Sequence, residues 1–228
     1  MQDLTLTVIQ SNLAWEQPLK NLHNFDEKLK DLKNSQDVVV LPEMFATAFT
    51  MDVRNFCTGM DGPVVSWMKE KAAALNSVVT GSIIFKENEV FYNRLVWMNP
   101  DHTFETYDKR HLFRFGEEHN FFKAGSRKIV VEHRGWHICP LVCYDLRFPV
   151  WSKNTLLNEN YQYDVLIYVA NWPQRRSHAW KTLLCARAIE NQCYVVGVNR
   201  VGTDGKDIYY SGNSLVIVGY DCPHCAPA

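Results

Sequence analysis

Cys143 closes the apolar, strand-like segment Trp136–Val142 and opens the turn Cys143-Tyr144-Asp145-Leu146-Arg147-Phe148-Pro149. A thiol there sits at the lip of a sheet, within reach of a substrate. The loop behind it leaves a backbone N–H to point back at whatever the sulfur attacks. Cysteine attacks as the thiolate, and an isolated thiol has a pKa of about 8.5, so a base or a cation must assist it. Two other strand ends supply such groups: Glu43 after Asp37-Val38-Val39-Val40-Leu41-Pro42, and Lys109 in Tyr107-Asp108-Lys109-Arg110-His111. A carboxylate can take the thiol proton and return it to a departing amine. An ammonium can stabilise the thiolate and then the oxyanion of a tetrahedral intermediate, with the Tyr144 N–H as second donor. Together the three spell acyl transfer through a thioester. Taken singly, each has a plainer reading: Glu43 as a loop or cap residue, Lys109 as a solvated charge, Cys143 as apolar filler.

These side chains need strands to hold them, and the hydrophobic pattern provides them. Residues 4–10 alternate as a strand, and Pro18 opens a helix with Leu19, Leu22, Phe25, Leu29 and Leu32 on one stripe. Val38–Leu41 is a short β-branched run typical of a strand covered on both faces. Pro63 opens a second helix, and Val78–Phe85 and Val90–Met98 form strands around the polar turn 86–89. Thr103–Tyr107 is expected as a strand, followed by a long loop over Asp108–Gly125, a length that tends to be functional. Strands are expected at Lys128–Glu132, Trp136–Val142, Asp164–Ala170, Cys193–Asn199 and Asn213–Val218. A short helix should follow Cys143, and a longer one should run from about Ser177 to Gln192. The pattern predicts an α/β fold in which helices cover two stacked sheets, because a single sheet of about ten strands tends to split or curl. Because all three candidates follow apolar runs, one sheet edge would bring them together.

Leu41-Pro42-Glu43-Met44-Phe45, Tyr107-Asp108-Lys109-Arg110-His111-Leu112-Phe113 and Val142-Cys143-Tyr144-Asp145-Leu146-Arg147-Phe148-Pro149 resemble, in order, the three signature blocks of the nitrilase (carbon–nitrogen hydrolase) superfamily. The likeness runs from the first strand to about Ser214 and is closest to the bacterial omega-amidase branch. It implies an α-β-β-α sandwich, usually dimerised into an eight-layered assembly. It implies Glu43 as general base, Lys109 as oxyanion stabiliser and Cys143 as nucleophile. A second family glutamate matches Glu118, with Glu117 the lesser choice; its alternative is a solvated loop acid. Asn171-Trp172-Pro173 matches a pocket-lining block, in which Trp172 either walls off the acyl chain or is a core aromatic. Arg147 and Arg176 are candidate partners for a substrate carboxylate, although Arg147 could instead pair with Asp145. Arg187 and Glu190 are expected to be structural. The branch implies hydrolysis of the terminal amide of 2-oxo-dicarboxylate monoamides such as 2-oxoglutaramate, with no metal or other cofactor. The alternatives are another small-amide or N-carbamoyl hydrolase, or a catalytically silent binding module.

Bulk properties agree with a single domain. The chain has 228 residues, 46% of them hydrophobic, with 24 Lys and Arg against 25 Asp and Glu. No basic stripe marks a nucleic-acid or membrane partner. The N-terminus lacks the pattern of a signal peptide, and no apolar stretch reaches the roughly 18 residues of a membrane span. Seven scattered cysteines fit reduced thiols in a cytoplasmic protein. The hydrolase domain is expected over 1–217. Residues 218–228 depart from the family pattern as an atypical, disordered tail that would weaken a homodimer. Cys222-Pro223-His224-Cys225 within it lacks the context of a redox or zinc motif.

Overall fold

A computed structural model of the chain describes residues 2–32, 36–157 and 160–219. The first half runs through β1 (Leu6–Val8), α1 (Pro18–Leu29), β2 (Val38–Val40), α2 (Val53–Phe56), α3 (Pro63–Leu75), β3 (Val78–Glu87), β4 (Val90–Met98) and β5 (Phe104–Asp108). The second begins with β6 (Val131–His133), β7 (Trp136–Val142), α4 (Pro149–Ser152), the short pair β8 (Leu156–Leu157) and β9 (Asn160–Tyr161), and β10 (Val165–Ala170). It continues through α5 (Ser177–Asn191), β11 (Tyr194–Asn199), β12 (Val201–Thr203), β13 (Tyr209–Ser211) and β14 (Leu215–Ile217). Helices α1 and α3 each start at a proline, where the missing N–H costs nothing. Asn76 and Gln192 end α3 and α5 in the left-handed conformation, which lets their N–H groups bond back to carbonyls of the last turn.

Each half builds one five-stranded mixed sheet. In the first, ordered β1-β2-β3-β4-β5, parallel pairs join β1, β2 and β3, and antiparallel pairs join β3, β4 and β5. In the second, ordered β14-β11-β10-β7-β6, the central pairs are parallel and both edges antiparallel. The sheets stack face to face. Val38, Val40, Leu95, Trp97 and Tyr107 share one buried cluster with Ile138, Leu141 and Val142. Val39 points the other way and packs with Phe25, Trp67 and Met68 of α1 and α3, while Trp180, Leu184 and Ala188 of α5 cover the second sheet. Fully burying a Val or Leu contributes about 1.5–3 kcal/mol, so the strict alternation at 38–40 fixes the register of β2 between two cores. The expected α-β-β-α order of layers follows.

Most expected elements are present, with shorter strands at 6–8, 131–133 and 215–217. Missing from the sequence reading were α2, the 156–161 pair and the β12–β13 hairpin, whose three-residue strands carry little periodic signal. The loop from 108 to 125 holds two single 3₁₀ turns, at Arg114–Gly116 and Glu118–Asn120. Cys222 and Cys225 lie outside the described residues.

Candidate active site

Glu43, Lys109 and Cys143 follow the C-terminal ends of β2, β5 and β7. The first two strands belong to one sheet and the third to the other, so the site lies between the stacked sheets and not along one sheet edge, as the spacing had implied. Asn171-Trp172-Pro173 enters from the end of β10, beside β7. Backbone conformations there are unusual. Met44, Glu117 and Cys143 all have φ between 44° and 61°, a region costly for side-chain-bearing residues and concentrated at functional sites. Each adjoins or is a site residue, and each turns the chain sharply where a side chain must face inward.

The Lys109 ammonium is completely buried and lies 2.8 Å from Glu43 Oε1 and 2.9 Å from Glu118 Oε2. Asn93, on β4, donates its Nδ2 to Glu43 Oε1 and to Glu118 Oε1, both at 2.9 Å. The Asn171 N–H donates to Glu43 Oε2 at 2.8 Å, and the Phe113 N–H to Glu118 Oε2 at 2.6 Å. The alternative of a solvated loop acid at Glu118 is therefore excluded: its side chain is wholly enclosed, whereas Glu117 turns the chain at φ 61°. Gly125 makes this loop geometry possible. Its N–H donates to Lys109 O at 2.9 Å, and a Cβ there would fall 2.0 Å from Asp108 O. Any larger residue would lift the 108–125 loop off the lysine.

The electrostatics follow from two carboxylates and one ammonium in a dry space. Burial alone would drive the proton off Lys109, but Glu118 and Glu43 outweigh it and hold the ammonium above its ordinary pKa. Burial pushes the Glu118 carboxyl up, against the pull of Lys109 and with the push of Glu43. Burial and the adjacent Glu43 likewise hold the Cys143 thiol well above the usual cysteine value, with Lys109 opposing too weakly to reverse them. The Cys143 Sγ contacts Asn171 O at 3.9 Å, and Glu43, whose charge adds to the upward shift, is the carboxylate placed to accept its proton.

Tyr144 follows Cys143 in the 3₁₀ turn Cys143–Arg147. The first N–H groups of such a turn find no partner inside it, which leaves the Tyr144 amide suited to an external oxygen. A cavity of about 120 Å³ opens above the sulfur. Phe113, Trp172 and Tyr210 form part of its walls, and Arg147, Arg175, Arg176 and Lys206 bring positive charge. Trp172 lines the cavity and is also buried, with its Nε1–H donating to Arg176 O at 2.9 Å. Arg147 does not pair with Asp145; its guanidinium carbon lies 5.2 Å from the Trp172 ring centre. Arg176 lies 4.8 Å over Phe113. Arg187 bonds Glu190 at 2.8 Å and Leu146 O at 2.6 Å, the structural role expected of that pair. Among the described residues no three His, Cys, Asp or Glu side chains group as a metal site.

Asn93 and the β12–β13 hairpin residues Lys206 and Tyr210 were missed from the sequence. Asn93 stands mid-strand in Phe91-Tyr92-Asn93-Arg94, and an uncharged polar residue facing inward from a buried strand is the one signal that could have exposed it.

Residues 5–218 match the family described as carbon-nitrogen hydrolase. The chain is 48% identical over 217 residues to omega-amidase YafV of Escherichia coli (strain K12), covering 95% of this chain and 82% of that protein. It is 33% identical over 217 residues to the 2-oxoglutaramate amidase of Bacillus subtilis (strain 168), covering 93% and 82%. The crystal structure of XC1258 from Xanthomonas campestris, a CN-hydrolase superfamily protein with an arsenic adduct in the active site, superposes with a TM-score of 0.93. Identity to it is 44%, with 96% of this chain and 83% of that one covered. The chain therefore belongs to the carbon–nitrogen hydrolase family, within the nitrilase superfamily and on its omega-amidase branch.

Proposed function

We propose that this protein hydrolyses the terminal amide of small carboxylate-bearing amides, 2-oxo-dicarboxylate monoamides such as 2-oxoglutaramate, to the acid and ammonia. The observation that carries the chemistry is a thiol beside a carboxylate that shares a buried ammonium with a second carboxylate. Cys143 attacks the amide carbon as its proton passes to Glu43. The Tyr144 N–H and Lys109 stabilise the oxyanion; the ammonium donates to Glu43 and to both oxygens of Glu118, and exchanging the longer Glu118 contact, at 3.1 Å, turns one N–H to the developing charge. Glu43 returns the proton to the leaving ammonia, and a thioester remains on the sulfur. Water then attacks that thioester as Glu43 takes its proton; the C–S bond breaks, the acid leaves, and Glu43 returns the proton to the Cys143 sulfur. Every contact to Glu118 comes from a donor, so this carboxylate orients the ammonium.

The substrate reading is supported by the cavity. Arg147, Arg175, Arg176 and Lys206 have no ion-pair partner among the described residues. Asp204, the acid on the same wall, is occupied by the Tyr210 hydroxyl at 2.8 Å and the N–H groups of Lys206 and Ile208. Burial and the like charges of Arg175 and Arg147 lower the Arg176 pKa, the signature of cations gathered without an anion. A carboxylate at the far end of the substrate relieves that repulsion, with Arg176 the nearest fit and Arg147 beside it. Trp172 walls the acyl chain.

The proposal extends to a cytoplasmic homodimer without metal or cofactor. The described cysteines form no disulfide, as in a reducing compartment, and Ile189 on α5 and Val216 on the neighbouring β14 are exposed. No described helix is long and apolar enough to cross a membrane. The test is ammonia release from an amide panel. Activity on 2-oxoglutaramate well above that on an equally long amide with no far carboxylate supports the reading; equal activity on both refutes its substrate half.

A further inference from the structure

The ammonium and the sulfur come from different sheets, so something must fix one against the other. We infer that Asp145 is the positioning residue that does so, a reading that rests on the roles proposed above for Lys109 and Cys143. The Asp145 side chain is fully buried and accepts four hydrogen bonds. Oδ1 takes the His111 N–H at 2.9 Å and contacts His111 Nδ1 at 2.8 Å. Oδ2 takes the Tyr107 hydroxyl at 2.7 Å and the Val142 N–H at 3.1 Å. A carboxylate has about four lone-pair sites, so the group is saturated.

The placement of these four donors is what matters. Tyr107 and His111 flank Lys109 by two residues on either side, at the end of the first sheet. Val142 and Asp145 itself bracket Cys143, at the end of the second. One carboxylate thus binds both sides of the lysine segment to both sides of the nucleophile segment. Aromatic packing stiffens the joint. His111 stacks on Phe148 with ring centres 3.7 Å apart and planes within 6°, and Trp151 donates to the Tyr107 hydroxyl at 2.9 Å. None of Tyr107, His111 and Asp145 lines the substrate cavity. Loss of the joint should therefore slow the chemical steps and leave substrate binding unchanged.

The plainer alternative is that Asp145 only caps the 3₁₀ turn through Val142, in which case the bonds to Tyr107 and His111 would affect stability and nothing else. Tyr107→Phe removes the hydroxyl's bonds to Asp145 and from Trp151, His111→Ala removes the Nδ1 contact and the stack on Phe148, and both keep the cap; His111→Asn restores a side-chain N–H donor near the position of Nδ1. A misplacement on the ångström scale costs about 100-fold in rate at the limit, and a loosened joint is expected to cost about 10-fold. The experiment measures kcat, KM and Tm for these three variants on 2-oxoglutaramate, with Cys143→Ala alongside. The expected result is kcat lower by about 10-fold in Tyr107→Phe and His111→Ala, KM unchanged within about twofold, and kcat largely recovered in His111→Asn. Wild-type kcat with a lower Tm, or a raised KM with kcat intact, overturns the inference while Cys143→Ala remains inactive. Activity surviving in Cys143→Ala refutes the catalytic reading itself. Asp145→Asn is not needed for the decision, because loss of a buried charged acceptor strains the fold as well as the joint.

Discussion

Two charged regions meet at Cys143 and differ in every physical respect. Below the sulfur, Glu43, Lys109, Glu118 and Asn93 are sealed from solvent, and each charge is matched by hydrogen bonds. Above it, Arg147, Arg175 and Lys206 are exposed, Arg176 is half-buried, and all four cations lack a protein anion among the described residues. Charges already matched inside a buried cluster act chiefly on bonds that change during reaction, whereas an unpaired cation at the mouth is stabilised by an arriving anion. The proposed reading therefore puts the chemistry in the first region and the selectivity in the second.

Substitutions should separate the two regions, and the largest effects belong to the sealed one. Cys143→Ala should remove amidase activity by about four orders of magnitude or more, measured as ammonia release, with the fold intact by circular dichroism. Lys109→Met leaves two carboxylates buried without their cation; an expected loss of about 3–5 kcal/mol in urea unfolding should accompany loss of activity. A Lys109→Met protein as stable as wild type would mean that the cluster is not electrostatically coupled. Asn93→Leu removes two hydrogen bonds to carboxylates, each worth about 1.5–3 kcal/mol, and should lower Tm and kcat together while sparing KM.

At the mouth the pattern should invert. Arg176→Gln should raise KM for a carboxylate-bearing amide by about 10- to 100-fold and leave a neutral amide unaffected. An equal effect on both substrates would remove the distinction between the two regions. A gentler test is pH. Because burial and Glu43 raise the Cys143 pKa above its ordinary value, the proton is expected to stay on sulfur as pH rises through neutrality. The thiolate absorbance assigned by difference from Cys143→Ala should therefore stay flat below pH 9 and rise only above it. A thiolate signal at pH 7 would show that Lys109 outweighs Glu43 and burial.

The same two regions differ in how well the sequence displayed them. Glu43, Lys109 and Cys143 were legible because each follows a short apolar run, and a strand end is visible in one dimension. That they meet between two sheets was not, since which strands share a sheet depends on pairing across long separations: β7 pairs with β10 and β6, not with β4 or β5. Glu118 was legible as a candidate only through the family's block; its burial depends on Gly125 folding the loop back onto Lys109. The alternative pairing of Arg147 with Asp145 rested on proximity in sequence, whereas the turn directs Asp145 away from it toward Tyr107 and His111. Asn93 carried only the faint signal of a polar residue in a buried strand, and Lys206 carried none, because their roles arise from what lies across the site and not from their neighbours in the chain.

The central claim is that the sealed cluster makes Cys143 the acyl carrier. Wild-type protein quenched during turnover of 2-oxoglutaramate, digested and weighed by mass spectrometry tests it most directly. The account predicts that the peptide containing Cys143 gains the mass of the substrate less ammonia, and that this adduct disappears once substrate is exhausted. Full ammonia release with the Cys143 peptide unmodified throughout, and undiminished release by Cys143→Ala, would contradict it.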